Sequence, residues 1–287
     1  MVVQGLSEAI LRVRTVWISD IHLGFRGCSA DRLLDFLRSV ECDFLYLVGD
    51  IIDVLEMKRR LFWPQSHNDV LRMILGKARR GTQVIYVPGN HDELFRDYCG
   101  MAWGNIQVIR EAIHINADGR RLLVLHGDKF DSVVRCSKAM ALLGSRLYDW
   151  LLQANIAVHF ARRKLGLPYW SLAGFLKNKV KQAVQHISNF EAGVAFEAGR
   201  LGVDGVVCGH IHRAEIATIN NIVYCNCGDW VESCTALIEH PDGRLELLRW
   251  PDLSDRLTQV YESAYESRTF TAQPDESASP WEDPVNV

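Results

Sequence analysis

The stretch VVCGHIHRAE, residues 206–215, decides the reading of the fold. An apolar run with the pattern of a buried strand stops at a glycine and delivers two histidines one residue apart. Four other apolar runs end in the same manner. Residues 13–19 lead into Asp20 and His22, residues 44–49 into Asp50 and Asp53, and residues 84–88 into GNHDE, which holds Asn90, His91 and Asp92. A later run leads into HGD, with His126 and Asp128. In open α/β sheets ligands sit in the crevice outside the carboxyl ends of the strands, so these four clusters are expected to converge with His210 and His212. One histidine on an apolar strand is more often packed core than ligand. Five such strand ends, several with glycine for close backbone approach, are hard to explain as packing.

The donors are Asp, His and Asn, with no thiolate, which suits manganese, iron or zinc in a reactive site rather than a structural zinc. Seven such donors are too many for one ion. They suit two divalent ions that share a carboxylate and lie about 3.5–4 Å apart, an arrangement that clamps phosphoryl oxygens.

Outward from these strand ends, helical spacing at 31–40 and 68–80 separates the first three runs, a βαβαβ opening. Residues 106–125 read as short strands with a turn at Asp118-Gly119. Residues 203–250 are again strand-rich, with hairpin turns at Asn220-Asn221 and Asp242-Gly243. The expected fold class is α/β, or α+β by some schemes: two packed mixed sheets flanked by helices, spanning 1–252. Residues 132–196 form a helical insert, and residues 253–287 a tail with seven acids and two arginines, expected to be partly disordered.

The 287 residues are 48% apolar and carry a net charge of −3, so the chain as a whole does not attract nucleic acid. The insert is the exception. It carries Arg162, Arg163, Lys177, Lys179 and Lys181 among apolar and aromatic stretches, LLQANIAVHF and LPYWSLAGFL. This fits an amphipathic cap over something anionic and greasy, although charge alone favours a solvated face. The eight cysteines show no CxxC pair and read as reduced; Cys225 and Cys227 read as a strand end. No segment has the length and apolarity of a spanning helix or a leader, so a cytoplasmic protein is expected, with peripheral contact at the inner membrane left open.

The ordered set DIH, GDIID, GNHDE, HGD and GHIH resembles the calcineurin-like metallophosphoesterase superfamily over about residues 14–250. The resemblance implies its four-layer sandwich, with Asp20, His22 and His212 on one metal, Asn90, His126 and His210 on the other, and Asp50 bridging. His91 would be the general acid or would stabilise charge on the phosphoryl oxygens, so His91, Asp50 and Asn90 are the catalytic set. Asp92 is expected to orient His91, and Asp53 to hold a turn or a ligand histidine. Asp128 and Asp131 take supporting or structural roles. His67, His114, His159, His186 and His240 lie outside the motifs and default to structure or surface.

The second motif lacks the Asp-Arg-Gly ending of protein serine/threonine phosphatases. A closer resemblance is to bacterial UDP-2,3-diacylglucosamine diphosphatases. It rests on length, on the basic insert, and on KRRLFWPQSHNDV, LPYWSLAGFLKNKVK and GDWVESCTALIEH. It implies hydrolysis of a nucleotide-linked lipid to UMP and 2,3-diacylglucosamine 1-phosphate in lipid A biosynthesis, with insert helices receiving acyl chains and the five basic residues named above neutralising phosphate. The chain departs from those enzymes at His91, where they carry arginine in a GNRD motif. The histidine is the general superfamily pattern and leaves a sister group with another substrate open. The alternatives are a general metallophosphodiesterase acting on nucleotides or cyclic nucleotides, a nuclease, which the mild acidity disfavours, and a non-catalytic binding module, which the complete donor set disfavours.

Overall fold

The computed structural model describes residues 11–133 and 187–252. Twelve strands among them form two sheets. The first contains β1 (Leu11–Ile18), β2 (Val40–Val48), β3 (Gln83–Val87), β4 (Ala102–Trp103), β5 (Ile106–Val108), β11 (Thr235–Glu239) and β12 (Leu245–Arg249), in the order β12-β11-β1-β2-β3-β5-β4. The second contains β6 (Ala112–Ile115), β7 (Arg121–Val124), β8 (Gly205–Cys208), β9 (Glu215–Ile219) and β10 (Ile222–Asn226), in the order β6-β7-β8-β10-β9. Both sheets are mixed: β1, β2, β3 and β5 run parallel, as do β7, β8 and β10, and the outer strands pair antiparallel.

Period-two alternation builds the layers. Trp17, Tyr46, Val48, Ile85, Val87 and Leu237 of the first sheet meet Leu122, Val124, Val207 and Cys225 of the second in a core between the sheets. The residues between them point the other way. Val16, Ile18, Leu45, Leu47 and Val84 pack outward under α1 (Ala30–Ser39) and α3 (Gln65–Arg79). Leu123, Leu125, Val206 and Cys208 pack outward against Phe190, Val194 and Ala198 of α4 (187–200). The result is the expected sandwich: helix, sheet, sheet, helix.

Several boundaries differ from the sequence reading for physical reasons. β2 begins at Val40 directly after α1, because its polar start pairs with β1 from Leu11↔Val40 onward. α3 begins right after Pro64, whose fixed φ of −72° sets the entry, so Gln65–His67 are helical despite their polarity. A short helix, α2 (Val54–Arg59), was not expected, although Asp53 and Glu56 have N-cap spacing; Asp53 accepts the Glu56 amide at 2.8 Å. The last part of the basic block, residues 187–196, belongs to α4 and covers the second sheet. The rest of that block and the acidic tail beyond 252 lie outside the described residues. Among the described residues no helix is long and apolar enough to cross a membrane. Cys225 and Cys227 are buried between the sheets, and burial pushes the Cys225 thiol up to about 12.

Candidate metal centre

The carboxyl ends of β1, β2, β3, β7 and β8 meet at one place, held together by loop-to-loop backbone bonds. The Asp20 amide donates to the Gly49 carbonyl at 3.0 Å, His22 to Asp50 at 2.9 Å, and Gly209 to His126 at 3.1 Å. There, Asp20, His22 and His212 place one donor atom each within 4.8 Å of one another, and Asp50, His126 and His210 do the same. Asp50 lies between the groups: its Oδ2 is 3.9 Å from His22 Nε2 and 3.4 Å from His126 Nε2. Asn90 Oδ1 is 3.3 Å from His126 Nε2. All seven expected donors are therefore brought together. His22, Asp50 and His91 form a third grouping within the same 4.8 Å, with His91 at the mouth, its side chain 23% exposed against 5% for His22.

The backbone is bent to make this possible. Asp20, His22, Asp50, His210 and His212 all adopt left-handed φ, between 50° and 72°. Each such residue costs about 1 kcal/mol or more, and their gathering at one spot marks a functional constraint rather than packing. Glycine leaves the space. A Cβ on Gly89 would come within 2.3 Å of Asp50 Oδ1, and one on Gly209 within 2.4 Å of Asp20 Oδ2.

The donor atoms fit divalent cations on the structure's own terms. His126 Nδ1 donates to the Val48 carbonyl at 3.0 Å and His22 Nδ1 to Asp53 Oδ2 at 2.9 Å, which fixes both tautomers and turns each Nε2 to the centre. Each central carboxylate has one oxygen pinned: Asp20 Oδ2 by the His210 amide and Asp50 Oδ1 by the His91 amide, both at 2.8 Å. Asp20 Oδ1 and Asp50 Oδ2 are buried and accept no hydrogen bond of good geometry, although imidazole nitrogens stand nearby. Orphaned buried carboxylate oxygens are costly, and a cation between them removes the cost. Burial alone would raise both acids, yet the imidazoles hold Asp20 and Asp50 well below the carboxylate range. Burial would likewise lower His126, but Asp50 and Asp20 push it up to about 10. The pocket demands positive charge, and protons and metal ions compete to supply it.

The residues around the donors divide their work differently from the sequence reading. Asp53, not Asp92, is the carboxylate that holds His91: its Oδ1 accepts from His91 Nδ1 at 2.9 Å while Oδ2 holds His22. Asp92 is fully buried and accepts from the amides of Gly89 (2.6 Å) and Ile51 (2.8 Å) and from the Tyr86 hydroxyl (2.5 Å). It clamps the second motif to the third, and burial with Asp50 nearby raises its pKa. Asp128 receives two 2.8 Å bonds from Arg96, a residue sequence reasoning did not single out. His67 accepts the Gly24 amide at 2.9 Å and so steadies the loop after His22. None of these long-range pairings has a local sequence signal. The Asp131 side chain and the expected substrate residues Arg162, Arg163, Lys177, Lys179 and Lys181 lie outside the described residues, as do His159 and His186.

The profile of the calcineurin-like phosphoesterases matches residues 13–214. A UDP-2,3-diacylglucosamine hydrolase of Xanthomonas campestris is 26% identical, with 80% of this chain and 96% of the relative covered. That of Neisseria meningitidis is 24% identical, with 75% and 88% covered. Among solved structures, the phosphoesterase Yfce from E. coli superimposes with a TM-score of 0.38 at 15% identity, covering 82% of this chain and 98% of that one.

Proposed function

The chain belongs to the calcineurin-like phosphoesterase family, and on that premise we propose that this metal-dependent phosphoester hydrolase cleaves the pyrophosphate bond of UDP-2,3-diacylglucosamine to UMP and 2,3-diacylglucosamine 1-phosphate. The observation that carries the reaction class is the unbonded Asp50 Oδ2, which belongs to one His/Asp triad and lies 3.9 Å from His22 of the other. The substrate is supported by the relatives of that name, which match along most of their length.

Asp20, His22 and His212 would hold one ion, Asn90, His126 and His210 the other, and Asp50 both. Manganese suits this oxygen and imidazole set, as do iron and zinc. Bound divalent ions supply Lewis acidity to the phosphoryl oxygens and acidify a water. The chain's own residues do the rest. Asp53 accepts a hydrogen bond from His91 Nδ1 and so supports the doubly protonated ring, whose Nε2–H would donate to the leaving or phosphoryl oxygen. Asp92 and Gly89 fix the turn from which Asn90 and His91 project. The basic insert would meet the acyl chains and phosphate, which also suits peripheral contact with the cytoplasmic face of a membrane.

A second reading, a metallophosphodiesterase of nucleotides, is favoured by His91 itself. Mass spectrometry of products from manganese-loaded protein and UDP-2,3-diacylglucosamine separates the two. UMP with the lipid monophosphate is the expected result. An intact substrate beside steady turnover of bis-p-nitrophenyl phosphate transfers the assignment to the second reading.

A further inference from the structure

Building on the diphosphate reading, we propose that the cavity beside His91 is a second-anion subsite that selects a diphosphate ester over an ester of a single phosphate. The cavity has a volume of about 380 Å³ and is bounded on one side by Asn90 and His91, so its occupant is a direct neighbour of the reacting phosphorus. Cations from three separate elements line it: Lys58 on α2, Arg96 on the turn Glu93–Tyr98, and Arg110 just beyond β5.

Arg96 is the fixed member. Its Nη2 lies 2.8 Å from both Asp128 oxygens and its side chain is 21% exposed, so the guanidinium is held in place with donors to spare. Lys58 and Arg110 are exposed and make no ion pair among the described residues. Glu93 and Asp97 also line the cavity and Asp128 neutralises Arg96, so three cations meet three carboxylates and no net positive charge is left over. That is too little to gather a free phosphate from water. The donors of Lys58 and Arg110, with those of Arg96 that Asp128 leaves over, are nonetheless enough to seat the second phosphate of a substrate whose first is held next door, where a charge-assisted bond forms without a new cost of association. Val54 and Leu55 on α2, with Leu94 opposite, give the same cavity an apolar wall for the group that this phosphate carries.

The test uses the manganese-loaded full chain and two water-soluble esters, UDP-N-acetylglucosamine and thymidine 5′-p-nitrophenyl phosphate. Affinity is read as KM where the ester is cleaved and as Ki against bis-p-nitrophenyl phosphate where it is not. Wild type should prefer the diphosphate ester by about 10-fold or more. Lys58→Ala with Arg110→Ala should weaken that ester at least about 10-fold more than the single-phosphate ester, and Lys58→Arg with Arg110→Lys should keep the preference. Equal weakening of both esters, or a preference that survives the alanine pair, overturns the subsite. The two proposals fail separately. Tight binding of the diphosphate ester without cleavage of any diphosphate removes the diphosphatase reading and leaves the subsite, whereas cleavage with a preference indifferent to Lys58 and Arg110 does the reverse.

Discussion

Two buried polar clusters lie along β1, and they differ in one respect. At the end of the strand, Asp20 and Asp50 each keep an oxygen without a hydrogen bond, and both sit in left-handed backbone together with His22, His210 and His212. Further back, the fully buried Glu239 is saturated. It accepts from Thr15 Oγ1 at 2.6 Å, from Arg14 at 2.7 and 2.8 Å, from the Ala117 amide at 2.7 Å, and from His114 Nε2 at 2.9 Å, while His114 Nδ1 meets the Tyr46 hydroxyl at 3.1 Å. Glu239 and Thr15 pair in register across β11 and β1, with no residue in this cluster at positive φ. A saturated cluster ties two sheets together. An unsaturated one is stabilised only when something else arrives. The same residue types thus separate into structure and function by their bonding accounts, not by burial.

The sharpest break of this comparison is a pair of isosteric changes. Asp50→Asn keeps an acceptor for the His91 amide and replaces the orphan oxygen with a group that cannot share two cations. Phosphodiester hydrolysis should fall about 1,000-fold or more, a rise of about 4 kcal/mol in the barrier. The melting temperature of the metal-free protein should fall only slightly, because Asp50 Oδ2 has no hydrogen bond of good geometry to lose and only the attraction of the neighbouring imidazoles goes. Retained turnover at saturating manganese, or a large loss of metal-free stability, would erase the distinction between the clusters. Glu239→Gln should do the opposite, leaving turnover within about 2-fold and lowering stability by about 3 kcal/mol.

The acid limb of stability sharpens the same point. Although burial favours the neutral acid, bonds from His114, Thr15, Ala117 and Arg14 hold Glu239 at about 2, below its ordinary 4.5. A depressed carboxylate contributes stability that is complete above its unfolded pKa and is lost as pH falls through the folded one. The difference in unfolding free energy between wild type and Glu239→Gln should therefore shrink from pH 4.5 towards pH 2, by up to roughly 3 kcal/mol. Denaturant melts across that window check it. A difference independent of pH means that Glu239 is not ionised in the fold.

The sequence made the donors legible because a metal site needs given atoms at strand ends, and strands announce themselves by apolar runs that stop at glycine. It also made the two-sheet sandwich legible, since β2, β3, β7 and β8 alternate faces residue by residue. Partnership among the supporting carboxylates was not legible. Asp92 adjoins His91 in the chain, yet its side chain runs back into the β2 loop, while Asp53, thirty-eight positions away, reaches the ring. His114 was legible as structural by default only, because Glu239 lies 125 residues off. The spacing of Asp53 and Glu56 carried the cap of α2 and was readable; the use of the same carboxylate by two histidines was not.

The smallest effect tests whether Asp53 belongs with the saturated cluster or the unsaturated one, since it has features of both. Its oxygens are fully engaged by His22, His91 and the Glu56 amide, which resembles Glu239. Both histidines, however, face the centre where Asp50 is left short. Burial raises the Asp53 pKa, but the bonds from His22 and His91 lower it overall, so the carboxylate stays charged and holds both Nδ1 protons. Asp53→Asn presents an amide that can accept from one ring but not from both. Turnover should fall about 10–100-fold, the usual cost of losing a group that orients a ligand. Two ions per chain should still bind at saturating manganese, because no donor atom is removed, and the pH profile of kcat should shift as His91 loses its anionic partner. A rate loss accompanied by only one bound ion would place Asp53 among the ligands. An unchanged pH profile would reduce it to the cap of α2.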